Sequence, residues 1–428
     1  LTSIDVGSNL VTGRNAFSGS KNLVTINLKS GARKIVDGFL ADTGITEFVV
    51  PEGVEEIGKD AFSSNKQLTK LTLPSTLKTI GEGAFSNTGL KEIVFPASMK
   101  TIPKGILDST QVEKIVLSEG VEEIGDYAFA NNKLLKSVVF PSTLKKIGRA
   151  AFKNSNLESV TLPSGLEEIA EEAFSYNKLS AVSLPTQLKT LGDNAFSNNN
   201  LKEVTLPSHL EVLGTAFVDN SELSKITFSE GLKEIRGASY SSLSAFSGTS
   251  IKSVVLPKSL EKIGDGAFYD LKGLADISIP ENVTSIGNEA FYNTGLTSID
   301  LPANLKTIGR YAFSGTKLKK VVLPSQVETI GDRAFSIESL ESVHIPKSLK
   351  SVTNYSLNNS YIYNRSWNGV EWGSGYNAIF SGDKNLKTVT FEDGISEIIS
   401  ELFRGTGINK IDLPSSVTKI GSAAFANS

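Results

Sequence analysis

Aromatic side chains concentrate in one stretch of this chain, residues 353–378. The stretch holds both tryptophans and four of the ten tyrosines of the sequence. Trp and Tyr offer a large, rigid contact surface with a polar group, and they dominate binding hot spots and sugar-stacking platforms. An arginine among them can add a cation–π contact. The candidate binding residues are therefore Tyr355, Tyr361, Tyr363, Arg365, Trp367, Trp372 and Tyr376, together with Tyr240 from a shorter stretch at 236–243.

This aromatic stretch supports more than one interpretation. The rings can project into solvent as a loop that binds a partner. They can also fold back against the body of the protein and satisfy their N–H and O–H groups locally. If the partner is a glycan, Trp367 and Trp372 can stack on its sugar rings.

Residues suited to catalysis are sparse. The two histidines, His209 and His344, lie several repeats apart, so they cannot share a metal ion or relay a proton. The chain has no cysteine, which excludes thiolate chemistry and Cys-based zinc sites within it. Carboxylate pairs such as Glu55-Glu56 recur with the repeat, and adjacent strand residues point to opposite faces. We therefore expect no catalytic residue, no metal site, no cofactor and no enzymatic activity.

Composition narrows the class of partner. The chain has 428 residues, with 43 Lys and Arg, 46 Asp and Glu, and a net charge of −3. Because both signs are interspersed, we expect no nucleic-acid partner. No run approaches the roughly 18 apolar residues of a membrane-spanning helix, so we expect no membrane insertion by this chain. The sequence leaves the oligomeric state open.

The elements that must position these residues are repeats of about 22 residues. Residues 296–313, LTSIDLPANLKTIGRYAF, show the unit best. This period is typical of a solenoid, in which each unit, here called a rung, buries its apolar face against its neighbours. We predict one elongated solenoid of about 18 rungs over residues 1–428. Phe closes the rung at positions 17, 39, 62, 85, 129, 152, 174, 196, 217, 246, 268, 291, 313, 335, 380, 403 and 425, and Leu closes it at 107.

The pattern within a rung predicts its path. Ile299 and Leu301 obey the strand period and should face inward, while Asp300 faces solvent. A proline ends this strand in most rungs because it lacks an N–H for the ladder. The second half predicts a short extended piece, a glycine turn, and Ala-Phe in a helical turn whose ring fills the core.

Two rungs break the period at the same place, before the Ala-Phe pair. The insertions are 236–243 and 353–378. Insertions in repeats form loops on one face, which is often the binding face. We therefore expect both insertions on one edge.

Two further patterns repeat from rung to rung. One outward sheet position is mildly apolar in rungs three to six, with Val49, Thr72, Val94 and Val116, which indicates either a binding groove or simple strand propensity. A second position alternates strictly in charge, which predicts cross-strand ion pairs. Its residues are Lys100, Glu122, Lys145, Glu167, Lys189, Glu211, Lys233 and Glu261.

The pattern L-x-x-I-x-L-P-x-x-L-x-x-I-G-x-x-A-F resembles the BspA-like, or Treponema-type, leucine-rich repeat family of bacterial surface proteins, and it covers essentially the whole chain. The resemblance implies a leucine-rich-repeat solenoid of the α/β horseshoe class, dominated by β-structure. Its sheet would be parallel on one face, with short extended or helical turns on the other. Many relatives carry Cys shortly after Ala-Phe, where this chain has small polar residues such as Asn65, Thr88, Asn132 and Thr316. We expect hydrogen bonds or packing to hold these residues.

The resemblance also implies a function and a location. It predicts a secreted or wall-attached, adhesin-like protein that binds a host extracellular protein, a bacterial surface protein or a glycan. Two alternatives are a structural spacer and a carbohydrate-binding ancillary domain of a larger surface enzyme. Since both ends cut through a rung without a polar cap, we interpret the chain as a fragment of a longer polypeptide.

Overall fold

The computed structural model describes residues 1–7, 13–238, 244–353 and 378–428. They form two compact units. The N-terminal unit comprises Leu1–Leu210 and Ala216–Leu223, and the C-terminal unit comprises Glu211–Thr215 and Ser224–Ser428. Each unit is a leucine-rich-repeat β-solenoid of parallel turns, as predicted. The predicted α/β horseshoe class is not supported, because the described residues form strands and turns without a helix. One continuous solenoid over residues 1–428 stays a prediction.

Each rung contributes up to two short strands. The first strand of the rung is β1 (Ser3–Val6), β2 (Thr25–Leu28), β4 (Glu47–Val49), β6 (Lys70–Thr72), β8 (Glu92–Phe95), β10 (Lys114–Leu117), β15 (Glu203–Thr205), β17 (Lys225–Thr227), β22 (Lys320–Val322), β24 (Ser342–Ile345) or β26 (Thr388–Phe391). The second strand is β3 (Lys34–Ile35), β5 (Glu56–Ile57), β7 (Thr79–Ile80), β9 (Thr101–Ile102), β11 (Glu123–Ile124), β12 (Lys146–Ile147), β13 (Glu168–Ile169), β14 (Thr190–Leu191), β16 (Val212–Leu213), β18 (Glu234–Ile235), β19 (Lys262–Ile263), β20 (Ser285–Ile286), β21 (Thr307–Ile308), β23 (Thr329–Gly331), β25 (Ser351–Thr353), β27 (Glu397–Ile398) or β28 (Lys419–Ile420).

Pairing within these sheets is parallel and in register. Ile93 of β8 lies opposite Ile115 of β10, and Ile124 of β11 lies opposite Ile147 of β12. Equivalent residues of consecutive rungs therefore form straight columns, and one side-chain type repeated at one position becomes one continuous surface or core layer. The alternation predicted in residues 299–301 is observed, since Asp300 is exposed and Ile299 and Leu301 are half-buried.

The phenylalanines that close the rungs form the core of each unit. Phe152 stacks on Phe174 with ring centroids 5.3 Å apart, and Phe291 stacks on Phe313 at 5.1 Å. Leu107 fills the same column, as predicted, and is fully buried. The prediction that Phe39 closes its rung is wrong by one residue. Leu40, not Phe39, holds the core position of its rung, because the Leu40 N–H donates to Ala61 in the way that the Phe62 N–H donates to Ala84.

The predicted helical turn at Ala-Phe is wrong, and the described residues contain no helix. The residue before the pair is left-handed, for example Asp60 (φ 53°), Tyr127 (φ 55°) and Glu289 (φ 55°). A left-handed residue stops a right-handed helix. In addition, alternate N–H groups donate to the next rung, as Phe129 does to Ala151, and so are not available for bonds within a helix.

A buried column of small polar residues follows the phenylalanines, and we call it the polar column. In the N-terminal unit its asparagines join two rungs. Asn177 Oδ1 accepts the Leu157 N–H at 2.9 Å, and its Nδ2 donates to the carbonyls of Phe152 (2.8 Å) and Phe174 (3.0 Å). The expectation that hydrogen bonds hold these residues is confirmed. The polar column is Thr43, Asn65, Thr88, Thr110, Asn132, Ser155, Asn177, Asn199 and Asn220 in the N-terminal unit, and Thr294, Thr316, Asp383 and Thr406 in the C-terminal unit.

Asp383 is the acidic member of the polar column. Its Oδ1 accepts the Ile337 N–H at 2.6 Å, but its Oδ2 is buried without a hydrogen-bond partner in the described part of the chain. Burial raises the pKa of Asp383 to about 9. A carboxyl group with this pKa is protonated at neutral pH, and its O–H can donate as the amide of an asparagine does.

Candidate binding face

The eight candidate residues predicted from the sequence lie outside the described residues. They are Tyr240, Tyr355, Tyr361, Tyr363, Arg365, Trp367, Trp372 and Tyr376. Their role in binding stays a prediction, and the described residues that flank the two insertions define the site.

Both insertions interrupt the same position of the rung, as predicted. At the shorter one, the N–H groups of Gly237 and Ala245 donate to Asp265 and Ala267, two residues apart on the next rung. At the longer one, Thr353 of β25 lies opposite Gly331 of β23, and the Arg333 N–H donates to the Ala378 carbonyl at 3.2 Å. Each insertion therefore leaves and rejoins its rung at one corner, just before the buried pair that closes the rung, which is Ala245-Phe246 or Ile379-Phe380. A shared edge for the two loops stays a prediction.

Three tyrosines on consecutive rungs of the C-terminal unit form a half-exposed stack, which we call the tyrosine ladder. The rings of Tyr269 and Tyr292 stack at 5.1 Å with an angle of 11° between their planes. Tyr311 meets Tyr292 edge to face at 6.4 Å. Tyr269 and Tyr292 directly follow core phenylalanines, whose spacing sets the spacing of the ladder. The ladder thus presents ring edges and hydroxyl groups in a rigid row.

Two arginines cover the end of the tyrosine ladder nearest the longer insertion. The guanidinium carbon of Arg310 lies 4.7 Å from the ring centre of Tyr311, within cation–π range. Arg333 Nη1 donates to the Tyr311 hydroxyl at 3.1 Å. Because the Arg333 backbone also bonds Ala378, the ladder reaches the rung on which the insertion ends.

Asp332 lies beside these arginines on the rung before the longer insertion, directly after Gly331, which is opposite Thr353. Arg310 Nε lies 3.7 Å from its Oδ2, yet burial raises its pKa above the ordinary value, against the opposing effect of Arg333 and Arg310. The equivalent Asp265 accepts the N–H of Asn288, one rung on, at 2.7 Å. The corresponding donor for Asp332 is residue 354, which lies outside the described residues.

A depression of about 420 Å³ lies at the other end of the tyrosine ladder. It is lined by residues 247–252, which follow the shorter insertion, and by residues 269–273. Tyr269 contributes an aromatic wall, while Asp270 and Lys272 contribute charges whose nearest atoms are 3.6 Å apart. An aromatic wall beside polar groups is the composition of a small-ligand or sugar subsite.

These parts form one surface of the C-terminal unit, which we call the corner face. It comprises the depression, the tyrosine ladder, Arg310 and Arg333, and it spans the rungs between the two insertions. Sequence reasoning missed this face because only the tyrosines of the two insertions were considered. The detectable signal was that Tyr269 and Tyr292 occupy the same place in consecutive rungs and that Tyr311 and Arg333 share another.

The residues considered for catalysis do not assemble. His209 is exposed with Nδ1 2.8 Å from the Thr186 carbonyl, and His344 is half-buried with Nδ1 2.9 Å from Thr390 Oγ1. Within the described ranges, no group of three or more His, Cys, Asp or Glu side chains can hold a metal ion. Across the same ranges, no helix is long and apolar enough to span a bilayer.

Six of the eight alternating charges form ion pairs between neighbouring rungs, as predicted. Lys100 bonds Glu122 at 3.3 Å, Lys189 bonds Glu167 at 2.7 Å, and Lys233 bonds Glu261 at 2.6 Å. The hydrogen bond from Lys189 lowers the pKa of Glu167. These pairs are exposed, so they fix register more than they add stability.

Comparison with known proteins gives a family and a fold. A family model described as BspA type leucine rich repeat region matches residues 1–113, 100–220, 239–364 and 372–428. No curated protein matches the sequence.

Solved leucine-rich-repeat structures resemble the chain at low identity. A leucine-rich repeat protein from Bacteroides ovatus matches with a TM-score of 0.50 and 22% identity, over 98% of this chain and 91% of that one. A leucine rich cell surface protein from Faecalibacterium prausnitzii matches with 0.39 and 23%, over 92% and 88%. The pneumococcal vaccine antigen PcpA matches with 0.38 and 24%, over 61% and 73%. The first likeness shows the fold alone.

Proposed function

Because this chain belongs to the family of BspA-type leucine-rich-repeat regions, we propose that it is a non-enzymatic module of a bacterial surface protein that binds a macromolecule through the corner face and the longer insertion. The partner is a host extracellular protein, a bacterial surface protein or a glycan. The module acts outside the cell, secreted or attached to the wall, in keeping with the resemblance of its repeat.

The observation that carries this proposal is the half-exposed tyrosine ladder between the two insertions. Tyrosine and arginine are enriched in binding hot spots because they combine contact area with hydrogen bonding at small entropic cost. The ladder is held by the core phenylalanines beneath it, so its order is established before a partner arrives, which lowers the entropic cost of binding.

The first test measures binding to immobilised host matrix proteins and to a glycan array. It compares the wild-type chain with a Tyr269→Ser/Tyr292→Ser variant and with a variant in which residues 353–377 are replaced by the short turn of a regular rung. We expect each change to weaken binding at least about tenfold. Tyr176→Ser is the matched control, because Tyr176 is 53% exposed but lies in the N-terminal unit.

Two results would contradict the proposal. One is binding that survives both changes, and the other is the absence of binding by any form, which supports the structural spacer. A loss of glycan binding alone would favour the ancillary carbohydrate-binding domain of a larger enzyme, with the depression beside Tyr269 as a sugar subsite.

Tryptophan fluorescence tests whether the insertion is available to a partner. Both tryptophans lie in the insertion, so their emission reports on it alone. We expect red-shifted emission that iodide quenches, and a shift on adding the partner identified above. Blue-shifted emission protected from iodide would indicate rings packed against the solenoid, as the spacer requires.

A further inference from the structure

One outward column of the N-terminal unit carries charges that form no ion pair with the described residues. Its residues are Glu47, Lys70, Glu92 and Lys114, all exposed, from β4, β6, β8 and β10. In the described part of the chain none of the four has an ion pair within 4 Å, whereas the second strands of the same unit close pairs such as Lys34–Glu56 at 2.5 Å. The alternating sign of this column therefore serves no ion pair among the residues that the structure describes.

An apolar column runs beside this charged column on the same face of the first strands, which pair as β4 with β6 and as β8 with β10. Val49 is 67% exposed, Val94 is 55% exposed and Val139 is 78% exposed. Thr72 and Val116 complete the column, and Val116 lies opposite Val94. Small β-branched side chains in a flat row allow a second sheet to approach to about 10 Å. Five rungs of this face therefore present an apolar strip flanked by unpaired charges.

The order of charges makes the face complementary to itself. A two-fold axis parallel to the strands and midway between β6 and β8 reverses the order of rungs and keeps each position along the strand. Glu47 then faces Lys114 of a second copy, and Lys70 faces Glu92 of a second copy. The same rotation places the apolar column on the apolar column, with Val49 opposite Val116.

The other face-to-face arrangement fails. A two-fold axis perpendicular to the strands, in the plane between the sheets, keeps each rung opposite the same rung of the second copy. No placement of this axis therefore sets a glutamate of the charged column against a lysine of that column. That arrangement buries charges without partners, which is costly. Symmetric dimers use one patch on both subunits, and this patch meets that requirement in one orientation only.

We propose that a second copy of this chain docks on the sheet face of residues 47–139, pairing the two charged columns in reverse order around the valines. The resulting contact is an isologous dimer. The contact uses residues of the N-terminal unit only, whereas the corner face belongs to the C-terminal unit.

Charge swapping tests the dimer on the full 428-residue chain by sedimentation velocity over a range of concentrations. Lys70→Glu places Glu against Glu92 twice in each dimer, and Glu92→Lys places Lys against Lys70 twice. We expect each single change to weaken dimerisation at least about tenfold. The double variant Lys70→Glu/Glu92→Lys restores opposite charges at both contacts and should return the dissociation constant to within about threefold of wild type.

Two controls separate this contact from general effects of charge. Lys100→Glu makes the same charge change outside the face and should leave dimerisation unchanged, and Val94→Arg should abolish it. Circular dichroism melts confirm that each variant is folded. A chain that stays monomeric at all concentrations, or a dimer that Lys70→Glu and Val94→Arg leave intact, would overturn the proposal.

Discussion

The polar column differs between the two units at one informative position. In the N-terminal unit, Asn65, Asn177 and Asn199 each accept an N–H from the preceding rung and donate to carbonyls of two rungs. In the C-terminal unit, Asp383 accepts the equivalent N–H but has nothing to donate when ionised. A single nitrogen replaced by oxygen turns a satisfied bridge into a group that needs a proton.

This difference shows what holds a rung in place. Phenylalanine burial is the same in both units and does not distinguish them. The asparagine amide distinguishes the units, because it donates hydrogen bonds to phenylalanine carbonyls at the turn. Buried carbonyls are costly to leave without a hydrogen bond. Asn177→Asp and Asp383→Asn test this role of the amide.

Asn177→Asp should give the largest effect. The variant loses the donated bonds to Phe152 and Phe174 and buries a carboxyl group, so we expect the N-terminal unit to lose about 2–5 kcal/mol of unfolding free energy at pH 7. Calorimetry and hydrogen exchange of the amides around Asn177 measure the loss. Asn200→Asp is the exposed control and should change stability by less than about 0.5 kcal/mol. Equal effects of the two changes would contradict the role of the amide.

Asp383→Asn should stabilise the C-terminal unit, and the gain should grow with pH. Between the ordinary value of 3.8 and about 9, folded Asp383 holds a proton that the unfolded chain has released. The stability of the wild-type unit therefore falls as pH rises through this window, by at most about 1.4 kcal/mol per pH unit. The asparagine has no proton to lose, so the unfolding free energy of the variant should depend less on pH.

Denaturant unfolding at pH 5, 7 and 9 measures this slope for wild type and variant. Asp393→Asn is a control because Asp393 is exposed and lies in the same unit. Parallel curves of unfolding free energy against pH for wild type and Asp383→Asn would show that Asp383 is ionised in the folded state. That result would contradict the proposed difference between Asp383 and the asparagines.

The repeat pattern predicted most of the fold. Residues that recur at the repeat period lie above one another in the solenoid. The spacing alone therefore predicted the core phenylalanines, the ion pairs between rungs and the position of both insertions within the rung. The helical turn was wrong because residues such as Tyr127 and Glu289 adopt left-handed backbone angles that their types do not signal. Phe39 was misplaced because Phe39-Leu40 offers two apolar residues, and only hydrogen bonds between rungs select Leu40.

The candidate site was predicted less completely. The sequence drew attention to the unusual composition of residues 353–378, but not to Tyr269, Tyr292 and Tyr311, whose composition is ordinary. Their importance is a matter of stacking, and Tyr311 joins the ladder from a different place in its rung. The protonation of Asp383 was also hidden, because Asp and Asn are interchangeable in a polar pattern until burial is known.

The smallest expected effect tests whether a residue of the polar column contributes the same unfolding free energy in both units. Thr88 and Thr316 occupy the polar column in different units, and each hydroxyl donates to a phenylalanine carbonyl at 2.8 Å. Valine keeps the shape and removes the donor. We expect Thr88→Val and Thr316→Val each to cost about 0.5–1.5 kcal/mol, measured by denaturant unfolding, and to agree within about 0.5 kcal/mol. Exposed Thr418→Val should cost less than either. If one buried variant costs several times the other, the surrounding unit governs this column, and the contrast between Asn177 and Asp383 cannot be assigned to the amide alone.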